Sequence, residues 1–320
     1  MKNFALIGVG GYIAPKHLKA IKDTNNNLIA SFDIHDSVGI IDSYFPESSF
    51  FTEFERFDRY LDKIKRKGTQ IDYVSICSPN YLHDAHVRFA LRIGANVICE
   101  KPLVINPWNL DSLEEIEKEK NKKINTILQL RLHPSIIKLK KEIDNSSKNK
   151  IFNVNLTYIT SRGKWYSVSW KGDTKKSGGL LINIGIHFFD LLLWLFGKIE
   201  TNYVYLNNKN KASGFLKFKK ANVKWFLSID KNDLLLINKN NNFRTYRSIK
   251  IDNKEIEFSD GFEDLHTKSY KNILNEKGFG INDIRPSIQI VSDIRNSEIF
   301  KIKNNYYHYL LDKISKYAFK

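Results

Sequence analysis

Gly8-Val9-Gly10-Gly11-Tyr12-Ile13-Ala14 follows a short apolar run and opens a helical pattern. Glycines there let the backbone turn tightly and approach a pyrophosphate whose charge rests on the N-terminus of the next helix. In the G-x-G-x-x-G pattern the third glycine would fall at Ile13, which is too large. Either the turn carries an extra residue, with Gly11 and Ala14 sharing the role, or the motif is degenerate. Asp33 ends the following apolar strand, about twenty residues on. A carboxylate there accepts hydrogen bonds from ribose hydroxyls and repels a 2′-phosphate, which favours NAD over NADP. A glycine-rich turn without a ligand is the plainer alternative.

Three further clusters could do chemistry. Ser78-Pro79-Asn80 and Glu100-Lys101-Pro102 each follow an apolar strand, at the carboxyl ends where open parallel sheets bind ligands. Lys101 in that position can reach a substrate hydroxyl, although a lone lysine is as readily a surface residue. Ser177-Gly178-Gly179 precedes Asn183-Ile184-Gly185-Ile186-His187 and Asp190. In a helix Asn183 and His187 stand on one face, with Asp190 a turn beyond. An imidazole is the natural base for a secondary alcohol near neutral pH. Taken alone, the segment fits a hydrogen-bonded core histidine equally well.

These residues need a scaffold, and its pattern is legible. Apolar strands at Phe4–Val9, Leu28–Phe32, Tyr73–Cys77, Asn96–Cys99 and Ile124–Leu130 alternate with helices near 13–22, 36–44, 54–66, 83–92 and 110–118. Phe57, Leu61 and Ile64 give the third of these helices its apolar face. Such alternation predicts a doubly wound parallel sheet, here over residues 1–129. A helix near 136–143, a strand at Ile151–Thr160 and a helix over 180–196 follow. Strands at 202–206, 213–218, 223–229, 246–251 and 255–258 and helices near 266–275 and 287–296 complete an α+β domain, 130–320, on a mostly antiparallel sheet. Asn238–Asn242 reads as a polar loop, and 306–320 as a basic amphipathic helix presenting Tyr309, Leu310, Ile314 and Tyr317.

With 320 residues, 42% hydrophobic, the chain can bury two cores, which excludes the disordered class. No apolar run approaches the roughly 20 residues that span a bilayer, and no signal-peptide pattern precedes the first strand. Cys77 and Cys99 end buried strands and need no disulfide, so a reducing cytoplasm is expected. The net charge of +16 raises nucleic acid as a partner, but no element interleaves basic and aromatic residues, and small anions suit the field better.

Together, the glycine turn, S-P-N, E-K-P and G-G-x-x-x-N-x-G-x-H, in this order, resemble the Gfo/Idh/MocA oxidoreductases over nearly the whole chain. The resemblance implies that Lys101 and His187 flank the hydroxyl being oxidised and that the peptide before Pro102 is cis. The family's usual Asp is Asn183 here; an amide can position a hydroxyl or His187 but cannot stabilise an imidazolium as an anion would. Residues 10–15, 36–46, 129–134, 160–166, 169–173 and 226–230 are similar to a narrower group, the UDP-N-acetyl-2-amino-2-deoxyglucuronate dehydrogenases.

That group implies oxidation of the C3′ hydroxyl of UDP-N-acetylglucosaminuronic acid for O-antigen or capsule sugars. It also implies 2-oxoglutarate as an oxidant of NADH in some members, a homotetramer, and no metal. NAD would lie against Gly8, Gly10, Gly11, Tyr12, Ile13 and Asp33. Ser78, Pro79, Asn80, His83, Glu100 and Lys101 would line its path, with Gln129, Trp170 and Lys171 nearby. Arg131, His133, Arg162, Trp165 and Tyr166 join Lys101, Asn183 and His187 as expected substrate contacts. Rival readings are a dehydrogenase of another sugar or cyclitol, such as inositol, and a non-catalytic NAD-binding module.

Overall fold

A computed structural model describes residues 1–237, 244–256, 264–301, 306–311 and 313. The chain packs as two compact units, Met1–Leu132 with Phe262–Ile288, and His133–Gly261 with Gln289–Lys320. The expected boundary at 129/130 falls near the first crossing, but the later segment returns to the first unit. A single linear division therefore does not describe the chain. The return is driven by side chains that the first unit needs buried, Tyr270 and Ile273 among them.

In the first unit, β1 (Asn3–Ile7), α1 (Ala14–Asp23), β2 (Asn27–Phe32), β3 (Ser49–Phe51), α2 (Phe54–Arg66) and β4 (Tyr73–Ile76) are followed by α3 (His83–Arg92), β5 (Asn96–Cys99), α4 (Trp108–Lys120) and β6 (Ile124–Thr126). The six strands are parallel in the order β3-β2-β1-β4-β5-β6. This is the doubly wound dinucleotide-binding order. Phe4 to Ile7, Val74, Ile76 and Val97 to Cys99 are fully buried, as central parallel strands covered on both faces must be.

Two local expectations fail here, and one strand was not expected. The helix expected at 36–44 is only a 3₁₀ turn, Gly39–Ser43, because glycine and β-branched residues oppose a longer helix. The short strand β3 carries no sustained apolar run and went unread, since edge strands need little core. The strand expected at 124–130 stops at Thr126 and gives way to a 3₁₀ turn, Gln129–Leu132.

The second unit contains α5 (Pro134–Asp144), β7 (Phe152–Thr160), α6 (Lys164–Val168), α7 (Thr174–Ser177), α8 (Ile186–Phe196), β8 (Ile199–Asn207), β9 (Lys211–Phe218), β10 (Ala221–Ser228), α9 (Lys231–Leu235), β11 (Thr245–Ile251) and β12 (Lys254–Ile256). Its sheet runs β12-β11-β7-β10-β9-β8, antiparallel except for the β7–β10 pair. Two helices follow, α10 (Leu265–Leu274) and α11 (Ile281–Asn296); α11 runs through Pro286, which had set its expected start too late. The expected loop 238–242, Phe258 and most of the tail 306–320, with Ile314 and Tyr317, lie outside the described residues.

The helical stretch Thr174–Phe196 is long and apolar enough to cross a membrane, which corrects the expectation that none would be. Of its apolar window, 72% is buried inside the protein. Phe189 on α8 meets Trp225 of β10 edge to face at 5.2 Å, and both are fully buried. Phe189→Ala should therefore cost about 3–5 kcal/mol, read as a lower urea midpoint. A loss below about 1 kcal/mol would show that this contact does not organise the second unit.

Candidate active site

The glycine turn leaves β1 with Gly8 at φ +89°, a left-handed conformation that side chains resist. A Cβ at Gly8 would lie 2.6 Å from the backbone nitrogen of Ser78, so the glycine lets two strand ends meet. Gly10 N–H donates to Asp33 Oδ2 at 2.9 Å, and His35 N–H to Oδ1 at 3.0 Å. Asp33 thus braces the turn from the end of β2. The N–H groups of Tyr12 and Ile13 have no partner among the described residues, and the first turn of α1 carries no acid. Ala14, fully buried, packs the first turn of α1 against the core. These observations fit the extra-residue reading of the turn, and unpaired N–H groups at a helix N-terminus suit a pyrophosphate.

Across the sheet edge, the Lys101–Pro102 peptide is cis, as expected. His83 is buried, with Nε2 2.8 Å from the Ser78 carbonyl oxygen and Nδ1 2.6 Å from that of Pro102. It ties the S-P-N and E-K-P loops together. Ser78 Oγ lies 2.8 Å from His86 Nδ1, and burial pushes the His86 pKa down to about 4. Asn80 is buried, and Lys101 is half-buried. Gln129 Oε1, past the end of β6, is buried without a partner among the described residues, as a group awaiting a ligand donor would be.

Glu100 lies in a hydrogen-bond network that motif reading did not foresee. Its Oε1 is 3.0 Å from His17 Nε2 and 2.8 Å from His266 Nε2. Burial alone would raise its pKa, but the two imidazoles outweigh this and hold the carboxyl well below its usual range. The available signals were a polar His17 on the inner face of α1 and His266 in a distant segment.

Arg131 and His133 make local contacts as well. Arg131 is buried, 3.2 Å from the Asp283 carboxylate, 3.0 Å from its carbonyl and over the Phe279 ring. Its fork thus holds the returning segment. His133 caps α5 by accepting the Ser135 N–H through Nδ1.

The remaining expected residues gather in the second unit. Leu181–Gly185 forms a π-helical turn ahead of α8, a device frequent at functional sites. Asn183 lies in this turn and His187 in the first turn of α8. A Cβ at Gly185 would lie 2.9 Å from Leu227, so glycine seats this turn on β10, two residues before half-buried His187. Asp190 is buried. Asn183 Nδ2 donates to Tyr166 Oη at 2.9 Å, and burial raises the Tyr166 pKa.

Around this pair stand Arg162, 5.7 Å from the Tyr166 ring, and half-exposed Trp165, edge-on to Tyr166. Lys171 lies 5.3 Å from the Trp165 ring and 5.5 Å from that of Trp170. Burial, then the charge of Arg162, lowers the Lys171 pKa. Neither Arg162 nor Lys171 has a carboxylate partner among the described residues. Two cations on aromatic faces, beside a polar amide and a phenol, can hold an anionic, flat-ringed ligand.

Comparison with known proteins identifies the family. Residues 2–127 match the model of the Gfo/Idh/MocA oxidoreductase family, NAD-binding Rossmann fold. Residues 140–230 match the family's C-terminal alpha/beta domain. The chain is 44% identical to the WlbA (WbpB) dehydrogenase of Thermus thermophilus in complex with NAD and UDP-GlcNAcA, over 97% of this chain and 100% of that one, with a TM-score of 0.92. A second structure of that dehydrogenase, with NAD and alpha-ketoglutarate, gives 45% identity over 96% and 99% and a TM-score of 0.90. Among curated proteins, glucose-6-phosphate 3-dehydrogenase of Bacillus subtilis is 24% identical over 68% of this chain. The matched stretch spans 60% of that enzyme and 36% of the Bacillus subtilis oxidoreductase YteT.

Asp33→Ala should weaken NAD binding about tenfold to a hundredfold, the loss expected for hydrogen bonds to a charged group. NADP affinity should change less, as measured by fluorescence titration. Equal affinity of the unaltered protein for NAD and NADP would remove Asp33 from the ribose.

Proposed function

The chain belongs to the Gfo/Idh/MocA oxidoreductases, and we propose that it oxidises the C3′ hydroxyl of UDP-N-acetylglucosaminuronic acid to the 3-keto sugar with NAD. The observation that carries the substrate class is the cationic, aromatic cluster of Arg162, Lys171, Trp165 and Trp170, adjoining Tyr166 and Asn183. A uronate and a diphosphate are anions that an arginine fork grips in two places, and uracil is a flat ring for stacking. An uncharged cyclitol would leave both cations without a counter-charge, which disfavours the inositol-type alternative. Similarity to an enzyme bound to that nucleotide sugar supports the same choice.

NAD would be held by the N–H groups of Tyr12 and Ile13 at its pyrophosphate and by Asp33 at its ribose, with Gln129 nearby. When bound, it supplies the hydride acceptor at the sugar carbon, and 2-oxoglutarate is the proposed oxidant that regenerates it. The protein's own residues handle the proton. His187 takes it from the hydroxyl as the C–H bond breaks, and the Lys101 ammonium stabilises the negative charge developing on the oxygen. Asn183, a neutral amide held against Tyr166, orients without adding charge. The same reading puts the reaction in O-antigen or capsule sugar synthesis, carried out by a cytoplasmic homotetramer; family resemblance is the support for this.

The test is NAD reduction with the nucleotide sugar by the parent and by single and double alanine variants of Lys101 and His187. Each single variant should lose about 10²–10⁴-fold in kcat with NAD affinity retained. The double variant should lose far less than the product, as groups acting together do. Near-full turnover by the double variant would overturn this assignment.

A further inference from the structure

The Glu100 network lies wholly within the first unit and joins four of its elements. Ser75 Oγ of β4 is 2.6 Å from Tyr270 Oη of α10, which is 2.7 Å from His17 Nδ1 of α1. His17 Nε2 and His266 Nε2 both meet Glu100 Oε1, and Lys101 N–H donates to Oε2 at 3.3 Å. The protons can be placed. If Ser75 donates to Tyr270 and Tyr270 to His17 Nδ1, a neutral His17 donates through Nε2 to the carboxylate. His266 donates through Nε2 in either charge state. One hydrogen then serves each contact, and the carboxylate receives three donors, the number a buried anion needs.

No ligand contact explains such an arrangement, because His17 and Tyr270 are fully buried and His266 nearly so. The chain position of Glu100 does explain it. Glu100 immediately precedes Lys101, and His17 stands on the helix whose first turn would hold the pyrophosphate.

We propose that His17 and His266 are positioning residues for the oxidation: they fix Glu100 as a rigid carboxylate that anchors the Lys101 backbone to the cofactor-binding helix. The inference rests on the reaction proposed above. It assigns catalytic importance to a segment more than 160 residues away in sequence, since Glu100 and His266 are 166 apart. The other ionisable groups facing Glu100 are Tyr270, Cys77, Cys99 and His83. Burial pushes the Tyr270 phenol and both thiols up, so these three are neutral near pH 7; burial also lowers the His83 pKa, opposed by its contacts with the Pro102 and Ser78 carbonyls.

The test compares His266→Leu, which removes the donor at similar volume, with His266→Gln, which keeps an N–H. His266→Leu should lower kcat about tenfold to a hundredfold, as loss of a hydrogen bond to an anion implies. With one donor gone, Glu100 takes up a proton at higher pH, so the acid limb of the kcat–pH profile should move upward. His266→Gln should restore both, and NAD affinity should hold throughout. A folded His266→Leu with the parental kcat and acid limb overturns the proposal.

If that variant does not fold, nitrogen NMR of the parent's imidazoles decides. Protonated Nε2 on both histidines with bare Nδ1 on His17 supports the network, and a proton on Nδ1 of a neutral His17 overturns it. One oxygen of Glu100 and one ring nitrogen each of His17 and His266 also lie within 4.8 Å of one another, close enough for a metal ion. Retention of one equivalent of zinc after dialysis, with loss of the Nε2 protons, likewise overturns the proposal. A parent that reduces no NAD with the nucleotide sugar overturns the substrate reading instead.

Discussion

A carboxylate removed from water must be met by donors, and Glu100 at the end of β5 imposes that condition on the whole first unit. Its oxygens are satisfied by His17 from α1, His266 from α10 and the backbone of Lys101. No local segment supplies all three. The chain therefore builds its sheet, completes most of a second unit, and then returns to place α10 beneath the cofactor edge. Leaving such an anion unpaired would cost several kcal/mol, a large share of the stability of any domain. The non-contiguous first unit is thus a consequence of electrostatics at the site as well as of packing by Tyr270 and Ile273.

The same economy governs the glycine turn. Gly8 brings β1 within contact distance of Ser78, and Asp33 secures Gly10, so three strand ends are locked before any ligand arrives. His83 extends the lock to the E-K-P loop. What remains unsatisfied among the described residues is informative: the N–H groups of Tyr12 and Ile13, the amide oxygen of Gln129, and the charges of Arg162 and Lys171. Rigid framework and unmet donors or charges together mark where ligands belong.

Much of this was legible in the sequence because the relevant signals are local. Apolar runs fixed β1, β4 and β5, and a glycine turn between strand and helix needs no distant partner to be recognised. Clusters at strand ends followed from the parallel sheet. The failures lie where distant residues decide. The contacts of Arg131 with Asp283 and Phe279 and the capping of α5 by His133 join residues that no motif links. The π-helical turn at Leu181–Gly185 has no periodic signature, so the spacing of Asn183 and His187 did not reveal it. His17 and His266 belong to no motif, and only folding brings them to Glu100.

The proposed reaction moves hydride from C3′ of a nucleotide-linked uronic acid to NAD. The most direct measurement uses UDP-N-acetylglucosaminuronic acid carrying deuterium at C3′ and follows the label by mass spectrometry and NMR. The proposed reaction should put deuterium on C4 of the nicotinamide and a keto group at C3′, with a slower turnover than the unlabelled sugar when the chemical step limits the rate. Reduced cofactor without deuterium, or a keto group at another carbon, would contradict it.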